Sequence, residues 1–281
     1  MGGRATSPRA QHIVGLAETG PSYREFAPPP RLKPFVVCLW QRESQPLDIY
    51  ARVVPDGCID IIWIGDDRLM VAGPATRAIV AESQDRTDYA GVRFPPGVAP
   101  SFLDVSADAL IDRHVPLEAI WPAESRELLE RAAGERAAGL KLDLLQRLLL
   151  KKQPDAVARD ELVRAGITLL LRSATSSVGV LSDVALLSDR QLRRRFQVAV
   201  GYGPKTLHRI LRFQRALSLI RNEAPAMRLV DIALASGYAD QPHMVRDFVQ
   251  LAGLPPARLA RSQKSFMSNS FKKRAPLPSY D

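Results

Sequence analysis

The sequence predicts an α+β protein. An N-terminal β-rich domain, barrel- or sandwich-like and with flanking helices, precedes an all-α domain of two helix-turn-helix units joined by a linker helix. Three observations lead there. Up to about residue 100, short β-branched and aromatic runs alternate with Pro- and Gly-containing turns. From residue 123 to 151 proline is absent and Leu, Ala, Glu and Arg dominate. Beyond residue 176 one capped amphipathic pattern occurs twice, 52 residues apart.

Residues 1–21 show no periodicity and are expected to form a flexible tail. The runs Phe35–Trp40, Ile49–Val54, Cys58–Ile64, Leu69–Ala72, Ala78–Ala81 and Tyr89–Phe94 read as strands. Turn signals at Pro55-Asp56-Gly57, Gly65-Asp66-Asp67, Gly73-Pro74 and Pro95-Pro96-Gly97 separate them. Residues 106–121 read as short helices, and 123–151 as two helices divided near Gly134 and Gly139. Lys151-Lys152-Gln153-Pro154 closes the second with cations and a following proline, which puts the domain boundary there: 22–154, then 155–262. Residues 156–173 read as a further helix, and 263–281 as a basic flexible tail.

The chain has 281 residues, enough for about two domains. No apolar run reaches the ~18 residues of a membrane span, and no secretory leader stands out in the first 20 residues. Two cysteines and four scattered histidines argue against a disulfide framework, a metal cluster or a metal cofactor. The expected compartment is the cytoplasm, with no membrane partner. Charge is unevenly divided: residues 1–155 carry a net −2 and residues 156–281 a net +11. A basic domain beside a near-neutral one points to a polyanion, nucleic acid first.

The repeat gives that partner a mechanism. Ser188-Asp189-Arg190-Gln191-Leu192-Arg193-Arg194-Arg195-Phe196, then Gly201 and Pro204, matches Asp240-Gln241-Pro242-His243-Met244-Val245-Arg246-Asp247-Phe248, then Gly253 and Pro256. Each begins on an N-cap residue type and carries an i,i+4 apolar pair, Leu192/Phe196 or Met244/Phe248. A short apolar segment precedes each, Val180–Ala185 and Leu229–Ala235, which completes a helix-turn-helix plan. A B-DNA major groove admits one α-helix, read by side chains near its N-terminus. The outward positions are Arg190, Arg193 and Arg194 on the first helix, and Gln241, His243 and Arg246 on the second. A stiff helix over Thr206–Arg221 would hold the two at fixed separation.

The segments Gln191–Phe196, Arg212–Leu217 and Asp231-Ile232-Ala233…Gly237-Tyr238-Ala239-Asp240-Gln241…Phe248…Gly253…Pro256 resemble the AraC/XylS family of bacterial transcription regulators over about residues 160–262. Phe26–Pro29, Val53–Asp60, Ala72–Ala75 and Gly91–Gly97 resemble the sensor domain of an AraC-like subgroup. The resemblance implies two helices docked in consecutive major-groove segments, recruitment of RNA polymerase to activate transcription, and DNA contacts at Arg190, Arg193, Arg194, Gln241, Pro242, His243 and Arg246. Leu186 stands where the first unit often has glycine, and Met244 where an aromatic is common. Pro242 replaces a residue able to hydrogen-bond a base, which implies poorer direct readout by the second helix.

In the first domain, Asp56, Cys58 and Asp60 share one strand face at period two. Trp40, Trp63, Phe94 and Arg93 complete a candidate pocket for a small-molecule effector, against ordinary core packing for the aromatics and an ion pair for Arg93. A thiol-based sensor or enzyme domain centred on Cys58 is the rival reading, though a buried small residue is the simpler one for Cys58. No catalytic residue set is identified. A non-specific nucleic-acid module is the rival for the basic half. The leucine-rich 123–151 segment is either interior or a homodimer seam, with the seam slightly preferred.

Overall fold

The computed structural model describes residues 15–16, 23–43, 50–82, 87–133, 138–152, 160–172, 187–223 and 227–261. Its N-terminal strands are β1 (Gly15–Leu16), β2 (Tyr23–Phe26), β3 (Cys38–Glu43), β4 (Tyr50–Val53), β5 (Ile59–Ile64), β6 (Arg68–Ala72), β7 (Ile79–Glu82), β8 (Asp88–Phe94) and β9 (His114–Pro116). Seven of them form an open antiparallel sheet in the order β1-β2-β3-β8-β5-β6-β9, and β4 and β7 pair as a separate ribbon.

Three of these details depart from the sequence reading. Gly15 and Leu16 lie within the expected tail yet pair with Phe26 and Glu25. Phe35 and Val36 sit in a turn, their backbone N–H groups donating to Leu32 O, and the strand begins only at Cys38. Between two short 3-10 turns, residues 114–116 form a strand on β6, where only helices were expected. Three residues with one central apolar side chain are too short to show a period.

Strand alternation divides the sheet into two faces. Leu39, Ile59, Ile61, Trp63, Leu69, Val71, Ala90, Val92 and Phe94 point to one side and form its core. That side is covered by helices α1 (Pro100–Leu103), α2 (Pro122–Ala132) and α3 (Ala138–Lys151). Leu142, Leu144, Leu145, Leu148 and Leu149 of α3 are all buried in this core. The seam reading of 123–151 therefore gives way to an interior one: α3 shows apolar residues on more than one face because it contacts β8, β3 and α2 together. Lys141 is buried too, its ammonium donating to Gly65 O at 2.6 Å and pairing with Asp66 at 3.2 Å, which ties α3 to the β5–β6 turn.

The second half holds α4 (Glu161–Arg172), α5 (Asp189–Val200), α6 (Pro204–Glu223), α7 (Leu229–Ala235), α8 (Gln241–Ala252) and α9 (Pro256–Arg261). Their apolar faces share one core around Phe196, Phe213 and Phe248. The apolar segment expected before α5, Val180–Ala185, lies outside the described residues, as does Leu186.

Candidate nucleic-acid interface and effector cavity

Both repeat helices begin on the caps the sequence suggests. Ser188 Oγ accepts from Gln191 N while Gln191 Oε1 accepts from Ser188 N, a reciprocal capping box. Asp240 Oδ1 accepts from His243 N at 2.6 Å. Both helices end on a glycine with positive φ, Gly201 at 98° and Gly253 at 70°, a conformation that L side chains rarely adopt. Leu192, Phe196, Met244 and Phe248 are buried, which turns the opposite edges outward.

On α5, Arg190, Arg193 and Arg194 are exposed and form no ion pair with any described residue. Arg195 differs, pairing with Asp160 on the approach to α4 at 3.3 Å. On α8, Pro242 and Arg246 are exposed, while Gln241 and His243 are half-buried. The His243 ring stands edge-on to Tyr238 at 5.3 Å. Pro242 occupies the second helical position, where a missing N–H breaks no intrahelical bond.

The linker helix α6 fixes α8 through charge and aromatic packing. Asp247 is buried and takes Arg209 Nε at 2.7 Å, with Arg212 at 3.6 Å. Arg212 also lies over the Tyr238 ring at 4.8 Å, and Phe213 meets Phe248 edge-on at 4.7 Å. Burial pushes the Tyr238 hydroxyl well above its ordinary pKa, and Asp247 adds to the rise, so the phenol is neutral.

The other face of the N-terminal sheet floors a cavity of about 320 Å³, roofed by Val53, Val54 and Ile79 at the β4–β7 ribbon. Strand register arranges its floor in rows. Arg42, Tyr89, Ile64 and Arg68 lie opposite one another across β3, β8, β5 and β6. A second row runs Trp40, Gly91, Ile62 and Met70, and a third runs Cys38, Arg93, Asp60, Ala72 and His114. A Cβ at Gly91 would lie 2.4 Å from Trp40 Cε2, so the glycine leaves room for the indole to lie across the sheet.

Arg93 and Asp60 form the polar end. Arg93 Nε donates to Asp60 Oδ1 at 3.0 Å and Nη2 to Oδ2 at 2.8 Å, both residues under 10% exposed. Burial raises the Asp60 carboxyl above its ordinary pKa, with Arg93 pulling the other way. On Arg93, burial opposes the charge, but Asp60, Tyr23 and Asp56 outweigh it and hold the guanidinium protonated. The two-pronged geometry is that of an ionised pair. Asp56 and Glu25 stand at 3.9 and 4.0 Å, and Arg93 Nη1 has no hydrogen-bond acceptor among the described residues.

Of the residues expected in the pocket, Asp56, Cys58, Asp60 and Arg93 line this cavity together. Trp63 and Phe94 do not: they point to the opposite face and are fully buried in its core. Trp40 shares the cavity face but is fully buried beside Tyr23 and Cys38. Cys58 is a buried wall residue whose backbone N–H donates to Asp56 Oδ1 at 2.9 Å. Among the described residues no group of three or more His, Cys, Asp or Glu is placed to hold a metal ion, and no helix is long and apolar enough to cross a membrane. Sequence reasoning missed Arg42, Arg68 and His114, which join Arg93 only through the register of β3, β6 and β9.

A helix-turn-helix domain family matches residues 181–262, and a domain of unknown function, DUF6597, matches residues 24–116. No curated protein sequence matches the chain. Among solved structures, a probable AraC family transcriptional regulator from Rhodopseudomonas palustris is similar over 37% of this chain and 99% of its own, at 21% identity and a TM-score of 0.33. ToxT from Vibrio cholerae is similar over 80% of this chain and 97% of its own, at 10% identity and a TM-score of 0.45. A structure of ToxT bound to an unsaturated fatty acid is similar over 87% and 97%, at 13% identity and a TM-score of 0.41. The chain thus joins an N-terminal DUF6597 domain to a C-terminal helix-turn-helix domain.

Proposed function

We propose that the protein binds a specific operator by docking α5 and α8 in consecutive major-groove segments, and that a small molecule in the N-terminal cavity controls this binding. Residues 155–262 form the DNA-binding domain and 22–154 the sensing domain. Arg190, Arg193, Arg194, Gln241, Pro242, His243 and Arg246 face the DNA, and RNA polymerase is recruited to the bound complex. Such a regulator works in the cytoplasm and needs no cofactor.

One observation carries the reading: two capped helices at one repeat offset, each buried on its apolar edge, with the outward arginines of α5 free of ion pairs among the described residues. Guanidinium groups in that state fork onto guanine or clamp phosphate at no cost of breaking an existing pair. For the effector, the cavity volume of about 320 Å³ suits a small molecule with an apolar body. A hydrogen-bond acceptor on that molecule would satisfy Arg93 Nη1.

The test selects a binding site from random duplexes with the full-length protein, then measures affinity by fluorescence anisotropy at ~150 mM salt. A preference of ~10³ or more over scrambled DNA supports specific regulation. Equal affinity for both would reduce the basic domain to a non-specific module.

A further inference from the structure

The two repeat helices are held by their C-terminal ends, and what holds them is the sensing domain. The last carbonyls of a helix lack intrahelical partners. On α8 two of these are taken by the ribbon: Ala78 N donates to Leu251 O at 2.7 Å and Arg52 Nη1 to Ala252 O at 2.9 Å. On α5 the cap Gly201 packs so closely that a Cβ would lie 2.7 Å from Pro74 Cγ and 3.2 Å from Ala107 O. Gly201 and Gly253 are equivalent positions of the repeat, so both units dock at the same point of their structure.

One short strap, residues 73–79, takes part in both docking points, through Pro74 beside Ala107 at the first and through Ala78 beside Arg52 at the second. The strap is fixed from below: Gly73 N donates to Arg113 O at 2.9 Å, and Thr76 gives its N–H and hydroxyl to Asp112 at 2.7 and 2.5 Å. Gly73, Ala75 and Ile79 of the strap form part of the cavity lining. One strand of backbone thus touches the cavity, α5 and α8.

We infer that this strap, outside the helix-turn-helix domain, sets the separation and rotation of the two reading helices, and so determines which half-site spacing the protein accepts. The inference rests on the proposed two-helix docking. One added base pair moves the second half-site by about 3.4 Å and turns it by about 35°. A pair of helices clamped at both C-termini cannot follow that turn, whereas a pair joined only through α6 has that freedom. An occupant of the cavity presses on the same strap and reaches both helices at once.

The test uses the full-length chain and the duplex it selects, with one base pair inserted or deleted between the half-sites. The wild type is expected to bind the altered duplexes at least about tenfold more weakly. Arg52→Ala and Thr76→Val remove strap contacts without touching the DNA-facing residues, and each is expected to reduce that discrimination at least threefold. Circular dichroism and thermal melting confirm that each variant is folded, and two chemically different variants guard against one failing to fold. Discrimination within twofold of wild type in both folded variants overturns the inference, as does a wild type that accepts all three spacings equally. Failure of the wild type to select any site would instead defeat the docking proposal itself.

Discussion

Replacing Asp60 with asparagine strips Arg93 of its main counter-charge while leaving the guanidinium buried. Three donor–acceptor contacts of 2.8 to 3.2 Å are lost or weakened. Breaking a buried pair from one side costs about 3–5 kcal/mol, because an uncompensated charge remains. Asp56 and Glu25, within 4.0 Å, offset part of it, so the lower end of about 3 kcal/mol is expected. With a urea slope of about 2 kcal/mol/M, the unfolding midpoint falls by about 1.5 M. All three tryptophans, Trp40, Trp63 and Trp121, lie in the N-terminal domain, so their emission follows that domain within the intact chain. Asp60→Leu combined with Arg93→Met removes both charges and is expected to recover most of the loss. A loss below about 1 kcal/mol in Asp60→Asn, or a double variant as unstable as the two single losses added, would refute the buried-pair account.

Arg194→Ala is expected to weaken binding to the selected duplex by about 1–3 kcal/mol if it grips a guanine, or to reduce the salt slope by about one if it grips phosphate. Arg195→Ala, already paired with Asp160, should change affinity less, and the same anisotropy titration compares the two. Gly91→Ala drives a methyl into the Trp40 ring and should cost about 1–3 kcal/mol, with a shift in tryptophan emission. Asp240→Ala removes the α8 cap and is expected to lower stability by about 0.5–2 kcal/mol in denaturant melts.

The C-terminal domain was legible because its signals are local. Caps, i,i+4 pairs and terminal glycines all lie within one helix, so Ser188, Asp240, Leu192/Phe196 and Met244/Phe248 occupy the expected places. The cavity was only half legible because membership depends on which strands pair and in which register. Part of that signal was in the sequence: Arg93 and Phe94 are adjacent in a strand, and Asp60 and Trp63 are three apart, so each pair must face opposite ways. Only pairing brings Arg42, Arg68 and His114 to the Arg93 face. Leucine spacing in α3 could not distinguish burial against a sheet from burial against a second copy, since both need the same apolar residues. The strap at 73–79 looked like an ordinary turn, because nothing local marks contacts made with residues 201 and 251.

The two helix starts differ in a way that gives the molecule a direction. α5 opens on a serine cap followed by Asp189, with three arginines free of ion pairs among the described residues along its first two turns. α8 opens on a carboxylate, which sits on the positive end of its dipole, and its second residue is a proline with no N–H to offer an anion. Docked as proposed, α5 would bring three arginines to the phosphate backbone, whereas α8 carries a single one, Arg246. A palindromic site suits a two-fold symmetric pair of identical heads. A single chain whose two candidate reading helices differ in charge has no such symmetry. With both helices docked as proposed, it would point one way along the duplex, and every other surface of the molecule would be oriented with it.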